Sequence, residues 1–148
     1  SLLLRIEVLR INSHELRARS GIAALSRSTL PARLRRRIER AVHRDLAVLT
    51  RTDLAWVRPQ VAALRSGLSA LAGDRDSACV QMRMAAASFE LANMHGWAAC
   101  AKHQLGRMLE TPEATSLQDA AGEELREQGV QAPERFANTL VPMVEIQD

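Results

Sequence analysis

His95, Cys100 and His103 carry metal-ligand side chains at close spacing. Cys100 and His103 are three residues apart and share a helical face, while His95 lies five before Cys100, at a turn. A structural zinc site needs four ligands, and no fourth stands beside these three. No metal and no cofactor is therefore expected. Asp74 with Asp76, and Glu123 with Glu124, are paired carboxylates without a neighbouring nucleophile or base. The first pair reads as a helix cap and the second as a solvated helix face. His14 and His43 stand alone on long helices. No Gly-rich phosphate loop, Walker lysine motif or kinase catalytic motif occurs, so the chain is read as non-catalytic.

A different pattern points to recognition. Arg33, Arg36, Arg37, Arg40, Arg44 and Arg51 fall within roughly 100° of arc when residues are placed at 100° per position on a helix. That arc lies opposite the apolar positions of the same helix. Guanidinium groups bind carboxylates and phosphates through paired N–H donors. Three readings stay open: a solvated outer face, a docking surface for an acidic protein segment, and a nucleic-acid surface. Nucleic acid ranks last, because aromatic stacking residues and a recognition motif are missing.

These side chains must be positioned by helices. Leu and Ala dominate the apolar residues, Tyr is absent, and there are two Phe and two Trp. Strong helix formers are abundant, and the residues that favour strands are scarce. The expected class is all-α. Residues 1–60 hold thirteen Arg against five acids, and residues 61–148 hold seven bases against twelve acids, so one end is basic. Arg outnumbers Lys nineteen to one, a coding bias of G+C-rich bacterial genomes. Cys79 and Cys100 lie in Ala-rich helical runs, which implies no disulfide framework and a cytoplasmic setting. No apolar run reaches 18 residues, so no membrane span is expected.

Seven helices follow from periodicity and caps. The first covers 2–26, with Leu3, Ile6, Leu9, Leu16 and Leu25 as its apolar stripe. Ser and Thr in SRSTLP are suited to cap the second, Pro31–Arg51, with Leu34, Ile38, Ala41, Val42, Leu46 and Leu49 inward. The third runs from Thr52 or Asp53 to Ala72, either kinked at Pro59 or starting only there. Gly73 and Asp74 form its stop and the next start. The fourth reaches Asn93 with Ala78, Met82, Ala85, Ala86, Phe89 and Ala92 inward. The fifth ends at Leu109 with Trp97, Ala101, Leu105 and Met108 inward. Thr111-Pro112-Glu113 opens the sixth, which ends at Gly129, and Pro133 opens a short seventh to Val141. Gly67 and Gly106, 39 residues apart, are placed for close helix crossings. The chain opens inside a helical pattern and reads as one domain, 1–148, cut from a longer protein.

Gly73, Asp74, Ala78, Ala85, Phe89, Leu105, Gly106 and Leu109 form a pattern that resembles tetratricopeptide-like repeats of large bacterial signalling proteins. The pattern is a Gly-Asp turn, an Ala-x-x-x-Phe pair, a second turn and a helix ending Leu-Gly-x-x-Leu. It covers residues 50–110. Residues 60–142, ending in EQGVQAPERFANTLVP, resemble the C-terminal tail of multidomain Ser/Thr kinases that carry an ATPase region and a helical-repeat tail. The resemblance implies a right-handed stack of antiparallel helical pairs and a docking or regulatory role, with any enzyme outside this chain. The expected partner is another protein, an upstream domain of the same polypeptide, or a second copy pairing through the first helix. The other reading is the helical-repeat part of a nucleic-acid-associated transcription regulator that uses the Arg face.

Overall fold

The computed structural model describes residues 1–27 and 29–146; Ser28, within the stretch read as capping the second helix, lies outside them. The described residues form an all-α fold of seven helices: α1 (Leu2–Leu25), α2 (Ala32–Thr50), α3 (Arg58–Leu71), α4 (Arg75–Leu91), α5 (His95–Met108), α6 (Glu113–Glu127) and α7 (Pro133–Leu140). Short connections make chain neighbours packing neighbours. α1 lies against α2, α3 against α4, α4 against α5, and α5 against α6. α7 turns back and packs chiefly on α5.

Local chemistry sets most boundaries. Pro59 sits in the first turn of α3, so the helix starts there and is not kinked. Gly73 takes φ 78°, the left-handed conformation that ends a helix with little strain. Asp74 then caps α4 by accepting from the Ser77 backbone N–H at 3.0 Å. Asn93, at φ 56°, makes the α4–α5 turn, a conformation its short polar side chain tolerates. Two expected caps are absent. Pro31 itself occupies the N-cap of α2, and Pro112 that of α6, neither with a side-chain cap bond. Thr111 instead stands by Glu113 and helps hold its carboxyl below the usual value.

The core runs through α3, α4 and α5. Ala78, Met82, Ala85 and Phe89 form the buried stripe of α4, each at most 1% exposed. Complete burial of a side chain the size of Phe or Met contributes about 1.5–3 kcal/mol. Ala101, Leu105 and Met108 are buried as expected, while Ala92 and Trp97 are half-buried. On α2, Val42 and Leu49 are buried, Ile38, Ala41 and Leu46 half-buried, and Leu34 exposed near the helix start.

The apolar stripe expected on α1 is corrected. Leu3, Ile6, Leu9 and Leu16 are exposed, and of that set only Leu25 is buried. The inward positions are Ile11, Glu15, Ala18, Ile22 and Leu25, spaced four and three apart. α1 carries apolar residues on more than one face, and the face that packs contains an alanine and a glutamate. Hydrophobicity alone therefore selects the wrong one.

Gly67 and Gly106 do mark close crossings. A Cβ at Gly67 would lie 2.9 Å from the Ile22 side chain of α1. A Cβ at Gly106 would lie 2.8 Å from the Ala114 carbonyl oxygen and 2.9 Å from the Gln118 nitrogen of α6. At Gly67 the contact is with a side chain; at Gly106 it is with the α6 backbone, which cannot yield without moving the helix. Overpacking of this kind costs about 1–3 kcal/mol. Gly106→Ala should therefore destabilise the chain by that amount in urea unfolding, despite the better helix propensity of Ala. A stability equal to or above wild type would show that α6 does not sit this close.

Candidate partner-binding surfaces

The orientation of α2 is set by one buried carboxylate. Asp45 is 5% exposed and faces α1. It bonds His14 Nδ1 at 2.7 Å and accepts from Arg17 Nε at 3.1 Å and Arg17 Nη2 at 2.5 Å. Burial alone would push its pKa up, but the hydrogen bonds from Arg17 and His14 outweigh that and hold it below the usual carboxylate value. With Asp45, Val42 and Leu49 turned inward, the opposite side of α2 faces outward.

That outer side carries all six predicted arginines. Arg33, Arg36, Arg37, Arg40, Arg44 and Arg51 are exposed. Arg40 Nε donates to the Arg36 carbonyl at 3.3 Å, and Arg51 Nε to the Ala47 carbonyl at 3.1 Å. Arg37, Arg40, His43 and Arg44 line an open hollow of about 460 Å³. Arg35 points elsewhere, donating to the Leu25 and Arg27 carbonyls at the α1–α2 connection.

The six differ from most bases in the rest of the chain. Arg10 pairs with Glu7, Arg19 with Glu15, Arg58 with Asp53 and Arg75 with Glu110. Lys102 pairs with Glu90 and Glu124, Arg107 with Glu134, and Arg126 with Glu123. Among the described residues, none of the six α2 arginines has an ion-pair partner. An exposed pair contributes little by itself, but a concentrated unpaired face sets a local field.

Several of the remaining chemical candidates have structural partners or are buried. His95 Nδ1 lies 2.8 Å from Glu90. Cys100 is buried, and its thiol pKa is pushed up to about 12 by that burial. Burial also lowers the pKa of His103, which lies 5% exposed in α5. Glu123 and Glu124 are taken by Arg126 and Lys102, and Asp74 by its cap. The three metal-ligand side chains are not brought together.

A stack of helical pairs also offers a concave groove as a candidate contact, although the sequence does not name the residues that line it. α1, α3 and α5 share a face where Glu15, Arg19, Ile22, Gln60, Leu64 and Gly67 meet Trp97. Glu15 is buried and pairs with Arg19, whose guanidinium carbon lies 5.5 Å from the Trp97 ring centre. Trp97 in turn packs on Phe89 at 5.4 Å between ring centres. Leu140, Val141 and Pro142, at the end of α7 and just after it, line this face too, and Val141 is only 2% exposed. Arg19 donates to the Thr139 carbonyl, and Gln104 Nε2 to the Val141 carbonyl at 2.6 Å. Buried glutamines in Ala-rich helices were the available signal, but their partners lie far along the chain.

No protein-family model, no curated protein and no solved structure matches this chain. The functional reading therefore rests on the geometry itself.

The Asp45 clamp has a pH signature. Its folded pKa lies below the ordinary value of 3.8, so its contribution is present above that value and lost as pH falls through the lowered one. Asp45→Asn should flatten the acid limb of the stability–pH curve below about pH 4 and destabilise the chain at pH 7 by about 1.5–3 kcal/mol, the range for lost hydrogen bonds to a charged group, since the Arg17 left behind is exposed. An unchanged acid limb would show that Asp45 is not the clamp.

Proposed function

We propose that this chain is a non-catalytic protein-interaction module that docks an acidic segment on the Arg face of α2. The observation that carries this reading is the set of six exposed arginines on one helix without an acidic partner among the described residues. The face between α1, α3 and α5 is covered by Leu140, Val141 and Pro142, whereas the Arg face is open. In this reading the helical pairs are tetratricopeptide-like, and the module is a cytoplasmic regulatory part of a larger bacterial signalling protein. The partner is a separate protein or another part of the same polypeptide.

An acidic protein segment is favoured over nucleic acid on chemical grounds. α2 has no Phe, Tyr or Trp on which a base would stack. The second half of the chain carries more acids than bases, which opposes a long phosphate backbone running past it.

The test is fluorescence anisotropy with a labelled Glu/Asp-rich peptide and a DNA duplex of similar charge. The chain and its Arg36→Glu/Arg40→Glu/Arg44→Glu variant are compared across salt concentrations. The peptide should bind wild type and lose at least about tenfold in affinity, equivalent to about 1.4 kcal/mol, in the variant. Tighter binding of the duplex with a steep salt slope would transfer the face to nucleic acid. Equal peptide affinities for the two chains would leave it a solvated surface.

A further inference from the structure

α1 carries a second apolar stripe that the fold leaves uncovered. Its packing stripe is Ile11, Glu15, Ala18, Ile22 and Leu25. Leu2, Ile6, Leu9 and Leu16 follow one another at steps of four, three and seven, and each is more than half exposed. At 100° per residue the two stripes lie on opposite sides of the helix. Ser13 fills the step between Leu9 and Leu16. Its hydroxyl donates to the Leu9 carbonyl at 2.8 Å, so it needs no outside partner. The outer stripe runs along about 21 Å of helix, at 1.5 Å per residue.

So narrow a stripe is the seam of a two-helix coiled coil, with Leu2, Leu9 and Leu16 at heptad position d and Ile6 and Ser13 at a. The flanking positions decide which helix can pair with it. Position e holds Leu3, Arg10 and Arg17, and position g holds Arg5 and Asn12. Glu7 and Glu15 fall at b and c, so no acid flanks the seam. Arg5 has no ion-pair partner among the described residues. Arg10 and Arg17 pair with Glu7 and Asp45, yet both side chains stay more than half exposed. A second copy of the chain is therefore the wrong occupant. Parallel pairing would set Arg10 against Arg5, and antiparallel pairing would again set arginine flanks against arginine flanks. A lipid surface fits less well than a helix, because the stripe is one side chain wide, is interrupted by Ser13 and includes no Trp or Phe. Charge complementarity selects a helix whose own flanks are acidic.

We propose that the outer stripe of α1 docks an amphipathic helix of a partner protein, with aliphatic side chains at a and d and Glu or Asp at e and g. The aliphatic side chains cover Leu2, Ile6, Leu9 and Leu16, and the carboxylates meet Arg5, Arg10 and Arg17. This site does not use the Arg face of α2 and stands or falls without it. Acidic charge alone is not enough here; the charges must flank an apolar stripe of matching spacing.

The probe is a fluorescent peptide about three heptads long, with Ile at a, Leu at d, Glu at e and g, and Ala or Gln elsewhere. One control has the same residues in scrambled order, and a second has Lys in place of every Glu. All three are titrated into the full chain carrying Arg36→Glu/Arg40→Glu/Arg44→Glu, which removes the Arg face of α2 as a competing site. They are then titrated into the same chain with Ile6→Gln/Leu9→Gln added. Ile6 and Leu9 are more than half exposed, so neither belongs to the core, and an unchanged melt checks this. The Glu peptide should bind the first chain and lose at least about tenfold in affinity on the second. The scrambled and Lys peptides should bind the first chain at least about tenfold more weakly than the Glu peptide does. Equal affinities for the Glu and scrambled peptides, no binding of the Glu peptide, or no loss with Ile6→Gln/Leu9→Gln overturns the proposal. Concentration-dependent dimers of wild type in sedimentation, abolished by Ile6→Gln/Leu9→Gln, would give the stripe to a second copy. Flotation of wild type with anionic vesicles, abolished by the same variant, would give it to a lipid surface. Either of these results overturns the partner-helix assignment.

Discussion

A single buried carboxylate decides which way α2 faces. Asp45 is taken from water and must be bonded, because an unpaired charge in that position is strongly destabilising. His14 and Arg17 of α1, one helical turn apart, provide the bonds and help hold α2 at its roll angle. That roll angle buries Val42 and Leu49 and turns the six arginines outward. Core packing and surface charge are thus two results of one constraint.

A second constraint acts in the centre of the stack. Small residues let α3, α4 and α5 approach closely, so the few large side chains there, Phe89, Met82 and Met108, bury completely. Close approach also brings α1, α3 and α5 to a common face. The Glu15–Arg19 pair, the Trp97 ring and the two glutamines then meet on it, and the chain's end lies across them. Burying Glu15 raises its pKa, with Arg19 acting in the opposite direction. This face therefore combines apolar surface with polar groups already removed from water.

What could be read in the sequence follows the range of the interactions. The Gly73–Asp74 stop and start, the position of Pro59 and the stripe of α4 rest on contacts within a few residues, and each is seen where expected. The Arg face was readable for the same reason, since a helix places residues three and four apart on one side. The roll of α1 was not. Its packing face includes Glu15 and Ala18, and leucines crowd the exposed faces, so the hydrophobic pattern misleads. The covered groove was the least readable feature. It depends on Arg19 meeting Thr139, 120 residues apart, and on Gln104 meeting Val141. No local pattern encodes such pairs.

The most direct test of the Arg face is NMR of the arginine Nε–Hε signals, assigned one by one, while an acidic peptide is added to the full chain. The account predicts that the signals of Arg33, Arg36, Arg37, Arg40, Arg44 and Arg51 shift together and saturate at one affinity. Those of Arg17, Arg19 and Arg126, already held by Asp45, Glu15 and Glu123, should stay in place. Shifts spread evenly over all exposed arginines, or strongest away from α2, would contradict it.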